Sequence, residues 1–192
     1  MYYKNYIKTL FDYFLILIIL IPAGLLLILI VVGYIITGQF PIFFKQQRIG
    51  KRGNVFTLWK FRTLSSDATK TLQQRKFFWG NVLRTSNLDE LPQLWNVLRG
   101  EMSLVGPRPL PVEYATLFSA EQNKRHEVLP GITGLAQVSG KNDLPWSEKF
   151  KYDLEYINRC SLWHDVTILF KTFLLALSFK QDNSLNEEKF NG

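Results

Sequence analysis

The sequence predicts an α+β fold, mostly α, and three observations predict it. A run without one charged residue extends from Tyr13 to Phe44, long enough for an apolar helix. Four later segments carry helical patterning: 77–102, 114–128, 146–158 and 162–179. Between them lie short β-prone pieces punctuated by glycine and proline, enough for a few short strands.

The 192 residues suffice for one core plus an appendage. Three stretches are expected: an apolar anchor over 1–40, a compact domain over 41–180, and a loosely held tail over 181–192. The net charge of +7 points to an anionic partner: nucleic acid, an acidic membrane surface or a phosphorylated substrate. The anchor and the lack of any nucleic-acid motif argue against the first. One cysteine, Cys160, excludes an intrachain disulfide, and His126 and His164 form no zinc cluster.

In chain order, the apolar run passes the roughly 18 residues a membrane segment needs. Pro22 sits near its middle, preceded by Ile21, and predicts a kink or a break. Both flanks are basic, with Lys4 and Lys8 before, and Lys45, Arg48, Lys51 and Arg52 after. A kinked spanning helix and a re-entrant helix with both ends on one face both fit. VFTLWKF reads as a strand after turns at Gly50 and Gly53, and 64–77 as a mobile loop. Leu91, Leu94, Trp95 and Leu98 recur at helical spacing, with Gly100 as the stop. SLVGPRPLPVEY and LPGITGLAQVSGKNDLPW are proline- and glycine-rich loops. The segment 162–179 presents Trp163, Phe170, Phe173 and Phe179, which suits an interfacial helix or a core helix.

The chemistry centres on Asp89 and Glu90. Ser86-x-x-Asp89 fits a capping box, which would make both acids helix-start residues. The basic residues around them argue for more. Lys60 and Arg62 in WKFRT, Arg84 in VLRTS and Arg108 in GPRP each sit at an element end or a turn, where they can converge on phosphate oxygens. Lys51 and Arg52, just after the anchor, read as headgroup contacts. A carboxylate pair among cations suits Mg²⁺-dependent phosphoryl chemistry, one carboxylate attacking phosphorus and the other orienting metal or protons. Two prolines around Arg108 restrict the backbone on both sides, which suggests that its position matters.

FFKQQRIGKRGNVFTLWKFRT, LRTSNLDELPQLWNVLRGEMSLVGPRP, PGITGLAQVSGK and DLEYI, in this order after a proline-interrupted apolar helix, resemble the bacterial sugar transferase family, the monotopic phosphoglycosyl transferases. The short length and the EKFNG ending resemble the small diacetylbacillosamine-phosphate-transferase-like members. The resemblance implies a UDP-sugar donor, a polyprenyl (undecaprenyl) phosphate acceptor, UMP as leaving group, and a covalent phosphosugar intermediate on Asp89. It implies Glu90 as partner in the catalytic dyad, Mg²⁺ held by Asp89 and Glu90, and phosphate contacts from Lys60, Arg62, Arg84 and Arg108. Gln137, Lys141 and Thr133 are weaker nucleotide or sugar contacts. It further implies a re-entrant helix broken at Ile21-Pro22, inner-membrane lipid on the cytosolic face, and downstream glycosyltransferases as partners. Two departures stand out: Ile21-Pro22 replaces the family's Ser-Pro, and Lys141 replaces an arginine, losing bidentate geometry. The competing function is a non-catalytic membrane adaptor whose basic face binds anionic lipid or a partner enzyme.

Overall fold

A computed structural model describes residues 3–67, 69–140, 143–177 and 189–192. The apolar run forms α1 (Lys8–Thr37), 30 residues long and about 45 Å at 1.5 Å per residue. A single π-helical turn at Tyr3–Ile7 precedes it. By length and composition α1 is apolar enough to cross a membrane.

The expected break at Pro22 does not end the helix, which runs through it as one element with Ile21 helical and exposed. Proline removes one N–H from the ladder, and a single missing donor bends a long helix more readily than it terminates one. The buried residues of α1 are Lys8, Asp12, Ile16, Ala23, Ile30 and Tyr34. Their spacings of four and seven place them on one stripe of a 3.6-residue helix. The stripe packs on α2 (Phe78–Thr85), α3 (Gln93–Leu98) and β3 (Ser103–Val105). Leu17, Ile21, Leu25, Leu29 and Ile36 remain exposed.

Both ends of α1 are tied down. Near the start, Lys8 Nζ pairs with Asp165 of α7 (Leu162–Leu177) at 2.5 Å, and Asp12 accepts from Ser103 Oγ at 2.6 Å. Near the end, the Tyr34 hydroxyl donates to the Arg62 carbonyl, and Trp79 Nε1 donates to the Ile30 carbonyl at 3.3 Å.

The strand VFTLWKF forms as β2 (Val55–Phe61), antiparallel to β1 (Phe43–Ile49), with Phe43 opposite Phe61 and Ile49 opposite Val55. The turn between them is a 3-10 turn at Lys51–Gly53, in which Arg52 and Gly53 take positive φ of 58° and 78°. Strand alternation places Lys60 on the same face as the buried Phe56 and Leu58, so its ammonium points inward. The segment 64–77 contains no helix or strand among its described residues; its ends meet at a Leu64–Lys76 bridge.

The helix expected over 77–102 is divided. α2 stops at Thr85, Asn87 takes a left-handed φ of 57°, a 3-10 turn spans Leu88–Glu90, and α3 follows. The helical spacing of Leu91, Leu94, Trp95 and Leu98 lies wholly after this turn, so it marks α3 and says nothing of the backbone at Asn87. The stop at Gly100 is borne out by its φ of 71°. The helix expected over 114–128 is likewise reduced to 3-10 turns and the four-residue α4 (Ala120–Asn123), capped by Ser119 and Gln122.

Two segments expected as loops contain a second, parallel pair: β3 with β4 (Gly131–Thr133). Here glycine is required by close approach, since a Cβ on Gly131 or Gly134 would collide with the Gly106 backbone. The short α5 (Leu135–Ser139) follows. α6 (Trp146–Arg159) and α7 match expectation, with residues 178–180 outside the described set. α7 combines both expected characters: Asp165 and Ile168 are buried, while Trp163, Phe170 and Phe173 are exposed.

The tail corrects one expectation. Residues 181–188 lie outside the described set, but Phe190 is only 5 % exposed, set among Tyr114, Phe118, Trp146 and Phe150. An aromatic side chain that fills a ring of aromatics holds the chain end against it.

The packing on α1 yields a test. A Cβ on Gly33 would meet the Trp79 indole at 2.5–2.7 Å, whereas one on Gly24 meets nothing within 4 Å. Gly33→Ala is expected to destabilise by about 1–3 kcal/mol, lowering the melting temperature by several degrees. Gly24→Ala should leave it unchanged or slightly raised, both read by thermal unfolding in detergent micelles.

Candidate active site

The Leu88–Glu90 turn closes one side of a cavity of about 710 Å³, within the usual size of a small-molecule site. Among the described residues, nine lysine and arginine side chains line it against three carboxylates, Asp89, Glu90 and Asp153. Such a wall favours an anionic, multiply charged ligand.

The capping box read from Ser86-x-x-Asp89 does not form. Ser86 Oγ instead donates back to the Val82 and Leu83 carbonyls, and no side chain caps the turn. The two acids therefore serve the cavity. Glu90 Oε1 accepts from Lys60 Nζ at 2.5 Å and from Arg108 Nη2 at 3.1 Å. Burial would raise its pKa, but Lys60 and Arg108 outweigh burial and hold the carboxyl down to about 2. Asp89 is 8 % exposed and forms no ion pair among the described residues. Burial is the largest influence on it, opposed by Lys60 and reinforced by Glu90, and its carboxyl is pushed up to about 6. Neighbours in sequence thus carry opposite perturbations: one acid is locked in its charged state, and the other is left reactive near neutrality.

The expected cations fall into two groups. Lys60, Arg84 and Arg108 converge around the acids. Arg84 Nη2 donates to Thr63 Oγ1 at 2.6 Å, while its Nη1 is buried without a partner among the described residues, a donor suited to a ligand oxygen. Arg62 also lines the cavity, but its guanidinium donates to the Pro41 and Phe43 carbonyls at 3.0 and 3.4 Å. It ties the chain between α1 and β1 to the end of β2. Thr133 and Gln137 line the cavity from β4 and α5. The Thr133 hydroxyl meets that of Thr172 at 2.7 Å, and Gln137 Nε2 donates to the Ile132 carbonyl at 3.0 Å, leaving Oε1 buried without a partner among the described residues. Lys141 lies outside the described residues. Ile21 and Pro22 are on α1 and do not line the cavity.

Sequence reading missed Arg48, Arg125 and Asp153, all on the cavity wall. In sequence Arg48 flanks the apolar run, and Arg125 falls in a segment of helical spacing that the structure folds into a 3-10 turn. Asp153 begins the DLEYI string, and its helical face became apparent only with α6 in place.

No group of three or more metal-ligating side chains occurs among the described residues. Mg²⁺ commonly takes one or two carboxylates and completes its shell with water and substrate phosphate. Asp89, without a cation partner among the described residues, and Oε2 of Glu90 fit that donor set.

Comparison with known proteins adds the family. The family model described as bacterial sugar transferase matches residues 3–179. The chain is 44 % identical over 160 residues to the uncharacterized sugar transferase EpsL of Bacillus subtilis (strain 168), covering 79 % of each. It is 40 % identical over 189 residues to the UDP-glucose:undecaprenyl-phosphate glucose-1-phosphate transferase of Xanthomonas campestris pv. campestris, covering 90 % of this chain and 39 % of that one. It is 33 % identical over 197 residues to the undecaprenyl-phosphate galactose phosphotransferase of Salmonella typhimurium (strain LT2), covering 91 % of this chain and 41 % of that one. The chain thus spans most of the first relative and about two fifths of the other two.

The raised Asp89 carboxyl has a consequence for stability. An acid whose folded value lies above its unfolded one stabilises the fold below the unfolded value, and that contribution is lost as pH rises through about 6. Asp89→Asn, which stays neutral, should therefore melt several degrees above the parent at pH 7.5. The two should converge near pH 4, as measured by thermal unfolding across a pH series.

Proposed function

The chain belongs to the bacterial sugar transferase family, and on that premise we propose that it transfers a sugar-1-phosphate from a UDP-sugar to undecaprenyl phosphate and releases UMP. The observation that carries this reading is the divergence of the two adjacent acids, Asp89 near 6 and Glu90 near 2, on a cavity walled by cations. The names of two relatives, a glucose-1-phosphate transferase and a galactose phosphotransferase acting on undecaprenyl phosphate, support the substrate classes.

An oxygen of the Asp89 carboxylate attacks the sugar-bearing phosphorus. The bond from that phosphorus to the bridging oxygen breaks, and UMP departs with the electron pair. An acyl phosphate joins Asp89 to the sugar phosphate. An oxygen of undecaprenyl phosphate then attacks the same phosphorus, the acyl-phosphate bond breaks, and the Asp89 carboxylate is restored. Lys60, Arg84 and Arg108 hold phosphate oxygens, and Arg108 and Lys60 keep Glu90 ionised beside the nucleophile. Burial makes Asp89 more basic than an exposed carboxylate while leaving it ionised at neutral pH. Mg²⁺ held by Asp89 and Glu90 would neutralise charge on the diphosphate.

The placement of α1 suits a lipid-linked acceptor. Both of its ends are attached to one domain and its outer faces are apolar. A helix so held lies re-entrant in the cytosolic leaflet of the inner membrane, with the cavity near the headgroups. Undecaprenyl phosphate presents its phosphate at that level, and glycosyltransferases acting on the same lipid are natural downstream partners.

Purified protein with Mg²⁺, a polyprenyl phosphate and a panel of UDP-sugars should release UMP with at least one donor. Asp89→Ala should reduce release by at least 10³-fold and Glu90→Gln by at least 10²-fold, with folding intact. Near wild-type turnover in Asp89→Ala would overturn the nucleophile assignment. No release from any donor by folded, membrane-inserted protein would favour the adaptor. The dependence of kcat/KM on pH should show an acidic limb with half-loss near pH 6, because protonated Asp89 cannot attack.

A further inference from the structure

The segment Gly106-Pro107-Arg108-Pro109 carries a side chain of the proposed site on a backbone short of amide donors, since neither proline has an N–H. The Gly106 amide donates to the Thr133 carbonyl at 2.8 Å, and beyond it the segment is fastened through its carbonyls. The Pro107 carbonyl accepts from the Gly131 amide at 3.0 Å, and the Leu110 carbonyl accepts from the Ile49 amide at 3.0 Å. The two carbonyls between them accept from arginine side chains: that of Arg108 from Arg125 Nη2 at 2.8 Å, and that of Pro109 from Arg48 Nη1 at 3.1 Å. Four consecutive carbonyls are thus each held from elsewhere in the chain.

Arg125 is itself held. Its Nη2 also lies 2.7 Å from Asp153 Oδ2 on α6, and its guanidinium sits 5.4 Å from the Phe150 ring centroid and 5.9 Å from that of Phe118. Arg125 and Asp153 are each 4 % exposed. A buried ion pair is a weak contributor to stability, because desolvation offsets most of the attraction. Its more informative property here is direction: the pair aims one donor at the peptide group of Arg108.

We propose that Asp153 and Arg125 are positioning residues for the proposed transferase reaction, fixing the Arg108 backbone so that its guanidinium reaches Glu90. Arg48 secures the next carbonyl in the same way. This inference rests on the transferase reading for its kinetic consequence, while its structural content concerns Arg108 alone. Misplacement of a charged group by about 1 Å can cost about 10²-fold in rate.

The test is a mutant cycle on the full chain in micelles. Arg125→Met with Asp153→Leu removes both charges together and should melt within a few degrees of the parent. It should lower kcat/KM for UMP release by about 10²-fold. Adding Arg108→Ala to it should lower kcat/KM less than threefold further, because the same interaction is already lost. A folded double variant with parental activity would overturn the proposal, as would a loss that multiplies with Arg108→Ala. Should the double variant not fold, Asp153→Asn, which keeps shape and a hydrogen-bond acceptor, enters the same cycle. A second readout needs no substrate: the ¹⁵N relaxation of the Arg108 Nε–H group, rigid in the parent, should become mobile in the variant. An unchanged Arg108 signal overturns the positioning role even if no donor supports turnover, whereas inactive wild-type protein with the expected relaxation change overturns only the transferase reading.

Discussion

One helix has to satisfy two environments, and the rest of the molecule is arranged around that constraint. α1 offers a stripe of Lys8, Asp12, Ile16, Ala23, Ile30 and Tyr34 to protein, and apolar side chains to whatever covers its other faces. The stripe is polar at its start, where Lys8 and Asp12 find Asp165 and Ser103, and apolar beyond Asp12 until the Tyr34 hydroxyl. Buried charges are tolerated only when paired and hydrogen-bonded, so these contacts set the helix in one register against the domain. Ile16 belongs to the largest apolar cluster, and Ile30 and Tyr34 to a second. The chain divides by element near residue 40, but α1 shares its core with the strands and helices of the domain.

The second cluster carries that constraint into the site. Leu88 and Leu91, on either side of Asp89 and Glu90, pack against it. The turn bearing the two acids therefore rests on the apolar helix, and the same burial pushes the Asp89 carboxyl upward. Glu90 escapes that outcome because β2 alternation aims Lys60 inward and Arg108 arrives from the proline-bracketed loop. Consecutive residues in a 3-10 turn point about 120° apart, which lets one acid meet two cations while its neighbour faces the cavity. Geometry and burial thus give two adjacent carboxyls opposite shifts.

Much of this was legible in sequence. The long apolar helix, the VFTLWKF strand, the two C-terminal helices and the Gly100 stop all follow from local patterning. The convergence of Lys60, Arg84 and Arg108 on Asp89 and Glu90 was also anticipated. What was not legible depends on contacts between distant residues. The β3–β4 pair has three residues per strand and is recognised only once Gly131 passes close to Gly106. Asn87 in a left-handed conformation divides the segment expected as one helix, ahead of the spacing of Leu91, Leu94, Trp95 and Leu98. Arg62 has the composition of a phosphate ligand, but two main-chain carbonyls occupy it. Phe190 sits in a tail of otherwise polar character, and only its aromatic surroundings explain why it is buried.

The proline-bracketed arginine shows how the local and distant levels connect. A proline fixes φ but removes the donor that would otherwise anchor the segment to a neighbouring strand. Stiffness along the chain therefore comes at the expense of attachment across it, and two prolines around one residue double that loss. Attachment then runs through carbonyls: those of Pro107 and Leu110 meet amides of β4 and β1, and the two between them need longer donors. Arginine meets this need, because its fork reaches a carbonyl and a carboxylate together, as Arg125 does with Arg108 and Asp153. The density of arginine around this cavity thus has two origins. Some of the cations face the cavity and its two acids, and others hold the carbonyls of the loop that presents Arg108.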